Sequence, residues 1–86
     1  MVCSVEISMF PLKEDFKPSI IVFIKNLRKY PFLKAVTNGM STQVFGEYKR
    51  VMNAINTEME NTFLKENSVV FTLKVINSDL EEKPNF

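Results

Sequence analysis

The chain has 86 residues, with 11 basic and 10 acidic side chains, no histidine and a single cysteine. A chain of this length builds one hydrophobic core and buries only about 60 to 65% of its unfolded surface, so we expect a single domain of modest stability. A net charge of +1 supplies no field that would draw the protein to nucleic acid or to an anionic membrane, and the lack of histidine excludes a histidine base and a cysteine–histidine metal cluster.

The chain also lacks the sequence signs of a membrane-spanning or secreted protein. Its longest apolar run, residues 20–24, is far shorter than the roughly 20 residues that a membrane-spanning helix requires. No basic segment followed by an apolar run resembles a signal peptide, and Cys3 has no partner for an internal disulfide. We therefore expect a cytoplasmic protein in which Cys3 is a small packed hydrophobe.

The opening segment has the strict alternation of a β-strand. One face carries Val5, Ile7 and Met9, and the opposite face carries Ser4, Glu6, Ser8 and Phe10. The apolar set predicts contact with a core. A carboxylate, two hydroxyls and an aromatic ring on the other set predict a sheet surface that is used for contact.

Residues 15–30 are predicted to form a helix. Their apolar side chains recur at helical spacing, at Phe16, Ile20, Phe23, Ile24, Leu27 and Tyr30. Asp15 is expected to cap the first turn, where Pro18 is tolerated because the early amides have no acceptor within the helix. Pro31 then favours the end of the helix.

A β-hairpin is predicted next, with short strands at residues 35–37 and 41–45. The dipeptide Asn38-Gly39 lies between them. It is typical of tight hairpin turns, in which it supplies positive backbone φ angles. Ser41 and Thr42 directly follow this turn.

A second helix and a last strand complete the predicted fold. Residues 47–65 carry an apolar stripe at helical spacing, and residues 68–76 are rich in β-branched side chains that favour a strand. The order strand, helix, strand, strand, helix, strand predicts a ferredoxin-like α+β domain over residues 1–78, followed by a polar tail at residues 79–86. Both helices of such a domain cover one face of an antiparallel sheet, which leaves the other face open.

Motifs for catalysis are missing from the chain. It has no phosphate-cradling glycine loop and no nucleophile elbow, and it holds only two glycines. An acylphosphatase-like site would want an arginine in a glycine-rich loop after the first strand, where this chain has Pro-Leu-Lys-Glu-Asp. An RNA-recognition surface needs exposed aromatics with basic neighbours, and Phe10 and Phe45 alone do not meet that need. We expect a protein that is not an enzyme and uses no cofactor or metal.

Two segments of the chain form a more specific pattern. Residues 6–12 read Glu-Ile-Ser-Met-Phe-Pro-Leu and are followed by Asp15-Phe16, and residues 39–46 read Gly-Met-Ser-Thr-Gln-Val-Phe-Gly. In this order of elements they resemble the thiamine-binding YkoF-type family over residues 3–76. The chain departs from the pattern of many relatives at Phe45, where those relatives have an acidic residue.

The resemblance implies a domain that associates through its sheet into a homodimer or homotetramer and binds thiamine, or its hydroxymethylpyrimidine half, without chemistry. The residues whose chemistry suits this ligand are Glu6, Ser8, Phe10, Met40, Ser41, Thr42, Gln43 and Phe45. A carboxylate accepts a hydrogen bond from the amino group of the pyrimidine and attracts the cationic thiazolium. Hydroxyl and amide groups form hydrogen bonds with the ring nitrogens, and an aromatic ring stacks on a cation.

Each of these residues also has a structural explanation. Glu6 can pair across the sheet with Lys74 or Lys34, and the hydroxyls after the turn can satisfy local backbone groups. Phe10 and Phe45 can pack in a subunit interface, because exposed aromatic rings on an open sheet face favour burial. The alternative function is therefore a structural or regulatory oligomerisation module that binds no small molecule.

Overall fold

The computed structural model describes residues 1–86 and confirms the ferredoxin-like fold. Its elements are β1 (Val2–Pro11), α1 (Lys17–Arg28), β2 (Leu33–Thr37), β3 (Thr42–Glu47), α2 (Tyr48–Lys65) and β4 (Val69–Ile76). The strands form one antiparallel sheet in the order β2-β3-β1-β4, so β1 and β3 are central. Neither helix combines the length and the apolar character that crossing a lipid bilayer requires.

The alternation of β1 is confirmed by the burial of its apolar face against the helices. The core cluster consists of Cys3, Val5, Ile7, Met9, Phe23, Leu27, Val44, Val51 and Ile55. Burial raises the pKa of the Cys3 thiol, as expected for an inert packed side chain. The opposite face of β1 is left for other contacts.

The start of α1 differs from the prediction. The helix spans Lys17–Arg28 instead of residues 15–30, and Phe16, not Asp15, occupies the capping position without a side-chain hydrogen bond. Pro18 lies in the first turn, where its missing amide leaves one donor fewer to satisfy. The Phe16 side chain lines a cleft beside the helix, so the residue at the cap serves packing.

The turn between β2 and β3 exists, but the prediction of its positive φ angles is wrong. Gly46 has the only positive φ in the chain, so Gly39 does not supply one. The loop is closed by the side chain of Asn38, whose Oδ1 accepts hydrogen bonds from the amides of Met40 at 2.9 Å and Ser41 at 3.2 Å. An asparagine side chain thus performs the role that was assigned to special backbone angles.

The junction of β3 and α2 depends on a glycine and an acid. Glu47 caps the helix, and its carboxylate accepts a hydrogen bond from the amide of Arg50 at 3.1 Å, which lowers the pKa of Glu47. Gly46 has a φ of 158°, and a Cβ at this position would lie 2.9 Å from Cγ2 of Val51. Only glycine fits where the strand passes directly into the helix.

The segment after β4 lies across the open face of the sheet. The Ser4 hydroxyl donates to the carbonyl of Ser78 at 2.7 Å and accepts a hydrogen bond from the amide of Leu80 at 2.9 Å. Ser4 is therefore only 6% exposed, although its position in β1 points away from the core. We call residues 77–81 the C-terminal strap.

Candidate ligand-binding cleft

A cleft of about 380 Å³ lies between the end of β1, the helix α1 and the loop that joins β2 to β3. Its apolar walls include Ile7, Met9, Phe16, Ile20, Phe23 and Ile24. The polar groups at its edge come from Thr37, Asn38, Ser41 and Thr42. Mostly apolar walls with a few placed polar groups are typical of small-molecule sites, whose volumes begin at about 300 Å³.

The cleft brings together the two segments that carry the family resemblance. The predicted binding residues that line it are Ser8, Phe10, Met40, Ser41 and Thr42. Two of them leave large apolar surfaces in solvent, since Phe10 is 53% exposed and Met40 is 90% exposed. Met40 can cover a bound molecule without first breaking an extensive packing contact, and Phe10 can add the exposed half of its surface.

Thr42 lies on the helix side of the sheet and pairs with a residue that the sequence did not single out. Its buried hydroxyl lies 3.0 Å from the Thr37 hydroxyl, directly across the hairpin. Either hydroxyl can donate to the other, so the pair keeps one further donor hydrogen and free lone pairs. It forms a rotatable donor and acceptor at the wall of the cleft. The only feature of the sequence that indicated a role for Thr37 in the site was its position opposite Thr42 in the predicted hairpin.

Glu6 lies on the open face and is connected to the cleft through Ser41. The Ser41 hydroxyl donates to Glu6 Oε2 at 2.8 Å, and Gln43 Nε2 donates to the Ser41 hydroxyl at 2.8 Å. Lys74 Nζ lies 3.4 Å from Glu6 Oε1, which confirms one of the two cross-strand pairings expected from the sequence. The hydrogen bond from Ser41, and then Lys74, lowers the pKa of Glu6, so its carboxyl is ionised at neutral pH.

This row of side chains orders the mouth of the cleft. Ser41 is held from both sides, by the carboxylate of Glu6 and the amide of Gln43. A negative charge therefore lies one side chain away from the cleft. Lys74 offsets part of that charge, and solvent screens an exposed ion pair, so any preference for a cationic ligand is modest.

Phe45 is not part of the cleft. The strand register places it on the open face between Ser4 of β1 and Lys34 of β2. Phe10 lies at the opposite end of β1 from Ser4, about 20 Å away along the strand. Phe10 and Phe45 therefore lie at opposite ends of the open face and do not contact each other.

The fold and the cleft define a ferredoxin-like α+β protein with a candidate site for a small organic molecule. No family model and no curated protein matches the chain. A hypothetical protein of Methanocaldococcus jannascii superimposes with a TM-score of 0.79 at 23% identity, over 98% of this chain and 88% of that one.

Two further solved structures share the fold. A proposed thiamine biosynthesis/salvage protein of Thermotoga maritima has a TM-score of 0.81 at 19% identity, over 91% of this chain and 85% of that one. A domain of unknown function, DUF77, from Bacillus cereus has a TM-score of 0.72 at 10% identity, over 99% of this chain and 84% of that one. Likeness at these identities shows a common fold.

Proposed function

We propose that the protein binds thiamine, or its hydroxymethylpyrimidine half, without turnover and associates with further copies through the open face of its sheet. The observation that carries the proposal is the cleft, in which apolar walls meet the paired hydroxyls of the buried Thr42 and the partly buried Thr37. The fold shared with the Thermotoga maritima protein of proposed thiamine biosynthesis or salvage supports the same class of ligand.

The chemistry of the cleft suits an aminopyrimidine ring. Such a ring has apolar faces, and its edge carries both donors and acceptors of hydrogen bonds. Phe16 and Ile20 offer apolar contact to the faces of the ring. The Thr37 and Thr42 hydroxyls can each donate or accept, so together they match a ring nitrogen beside an amino group.

The thiazolium half of thiamine suits the mouth of the cleft. Phe10 presents an exposed ring there, and an aromatic face attracts a cation. The ionised Glu6 lies behind Ser41 and adds a negative charge nearby. Hydroxymethylpyrimidine carries no permanent charge and therefore lacks this attraction between a cation and the ring of Phe10 or the charge of Glu6.

Binding without turnover is proposed because the residues that line the cleft carry hydroxyls and an amide but no carboxylate, ammonium or thiol. The carboxylate of Glu6, which contacts the lining residue Ser41, is engaged by Ser41 and Lys74. General acid–base catalysis needs a titratable group within hydrogen-bond reach of the reacting atoms. A site of this composition is suited to holding a molecule.

The alternative, an oligomerisation module without a ligand, is favoured by a different observation. Phe10 and Val70 face each other across β1 and β4 on the open face, and both leave about half of their surface in solvent. Adjacent exposed apolar side chains mark a contact surface. Contact between copies would bury them whether or not a small molecule binds.

Calorimetric titration of the ligand-stripped protein with thiamine, and separately with hydroxymethylpyrimidine, tests the proposal. We expect saturable binding of both. Thr42→Val should weaken both affinities by about tenfold or more, because the Thr37 hydroxyl and the ligand each lose a hydrogen-bond partner. Thr72→Val is the matched control, since it removes the same hydroxyl from an exposed position of β4 outside the cleft, and it should leave both affinities unchanged.

In the same experiment, Glu6→Gln distinguishes the contribution of the thiazolium half of thiamine to the affinity from that of the pyrimidine half. It should weaken thiamine binding more than hydroxymethylpyrimidine binding, because only thiamine carries a permanent positive charge. The absence of heat with either ligand, in protein shown to be folded by circular dichroism, would contradict the proposal. An equal loss of affinity in the Thr42 and Thr72 variants would contradict the assignment to this cleft.

A further inference from the structure

The C-terminal strap crosses the sheet from one edge strand to the other. It leaves β4 after Ile76, contacts β1 at Ser4 and reaches β2, where Glu81 pairs with Lys34. Three strand spacings separate β4 from β2, about 14 Å, and five residues span at most about 17 Å. Five residues are thus long enough to bring the Glu81 carboxylate over β3, the strand that carries Phe45, to the ammonium of Lys34.

Ser4 is the docking point of the strap. Its hydroxyl uses its one hydrogen to donate to the Ser78 carbonyl, and it accepts from the Leu80 amide. The Asp79 carboxylate accepts a hydrogen bond from the amide of Glu81 at 3.1 Å, which shapes the strap between its two attachments. A few polar contacts thus hold the segment, and no member of the hydrophobic core cluster belongs to it.

A docked strap prevents close packing of a second sheet over the same area. Sheets that pack face to face lie about 10 Å apart, and a chain segment on one of them fills that layer. The strap covers the end of the open face near Ser4 and Phe45. The end with Glu6, Ser8 and Phe10 stays uncovered.

The partner that fits this face is a second copy of the chain. Glu6 and Lys74 are adjacent in the register of β1 and β4, so a two-fold axis can place the carboxylate of each copy beside the ammonium of the other. Val36 and Ile76 add partly exposed apolar surface to the same face. The face is therefore complementary to itself in charge and carries apolar area to bury.

We propose that the C-terminal strap is a removable cover of the open face, and that its release exposes the end near Phe45 for pairing with the sheet of a second copy. The inference rests on the part of the proposed function that assigns association to the open face. It does not depend on the ligand.

Full-length variants test the inference through the dissociation constant of self-association, measured by sedimentation velocity over a concentration series. Glu81→Lys places like charges beside Lys34, and Leu80→Pro removes the amide that donates to Ser4. Each should release the strap and tighten self-association by about fivefold, the equivalent of one lost surface contact. Hydrogen exchange of the amides of Ser78, Asp79 and Glu81 should rise in both variants.

Matched controls separate strap release from other effects of these substitutions. Glu82→Lys makes the same charge change one residue further on, at a side chain without an ion pair, and should leave association unchanged. Leu80→Ala keeps the amide and should do the same. Combining Lys34→Glu with Glu81→Lys restores the ion pair with reversed charges and should restore the original dissociation constant.

Unchanged or weaker association in both release variants would overturn the inference, and so would a chain that stays monomeric in every variant at every concentration. The calorimetric result is independent of this outcome. If thiamine binds but release of the strap does not change the dissociation constant of self-association, the inference is overturned and the ligand proposal stands. If release of the strap tightens self-association but thiamine gives no heat, the inference stands and the ligand proposal is overturned.

Discussion

Replacement of Gly46 by alanine is expected to lower the free energy of unfolding by about 3 kcal/mol or more. An added Cβ would lie 2.9 Å from Cγ2 of Val51 and 3.1 Å from the carbonyl oxygen of Phe32. Val51 is fully buried in the core and cannot move aside, and the second contact is with backbone. The φ of 158° adds strain for any residue with a side chain.

Urea denaturation followed by circular dichroism measures this effect. Gly39→Ala is the matched control, because nothing lies within 4 Å of an added Cβ there and φ is not positive. The control should change the free energy of unfolding by less than about 0.5 kcal/mol. Similar losses in the two variants would show that the junction of β3 and α2 is not specifically constrained. The junction matters for function because β3 carries Thr42 into the cleft.

Replacement of Leu27 by alanine is expected to lower the free energy of unfolding by about 3 kcal/mol. Leu27 is 0% exposed on α1 and belongs to the core cluster, so its removal leaves a cavity between the helix and the sheet. Domains of this size are typically stable by only about 5 to 10 kcal/mol, so the loss is a large part of the total. The same helix carries Phe16, Ile20 and Ile24 at the cleft wall, and a loosened helix should also weaken ligand binding.

The same denaturation experiment with Leu64→Ala provides the control. Leu64 is also a leucine in a helix but is 79% exposed, so its removal leaves no cavity. Alanine is at least as good a helix former as leucine, and we expect a change below about 0.5 kcal/mol. Comparable destabilisation by the two substitutions would contradict the assignment of Leu27 to the core.

The fold was predictable because apolar residues recur in each helix and strand with the period of that type of element. Val5, Ile7 and Met9 alternate with polar residues, and a one-residue slip of β1 would expose all three to solvent. The apolar spacing of α2 likewise allows only one rotation of the helix about its axis in which Val51 and Ile55 are both buried. Patterns of this kind record which face of an element is covered.

The local ends of elements were less predictable, because several side chains can satisfy the same backbone groups. The Asn38-Gly39 dipeptide predicted a turn with positive φ, whereas the Asn38 side chain closes the loop by itself. Asp15 was expected to cap α1, but Phe16 holds that position and contributes to the cleft. Composition alone does not distinguish these solutions.

The candidate site was predictable in part, since the sequence named the two segments but not the face of each side chain. The register turns Thr42 toward the helices and leaves Glu6 and Phe45 on the open face. The strap was beyond reach, because its docking depends on Ser4 meeting Ser78, which lies 74 residues away in the chain. No local pattern records a contact of that kind.

The most direct test of ligand binding at this cleft is nuclear magnetic resonance of methionine methyl groups during a thiamine titration. Met9 and Met40 line the cleft, whereas Met52 and Met59 lie on α2 outside it. We expect the signals of Met9 and Met40 to shift together and saturate, while those of Met52 and Met59 stay in place. Signals that do not move, or shifts confined to the two methionines of α2, would contradict thiamine binding in the cleft.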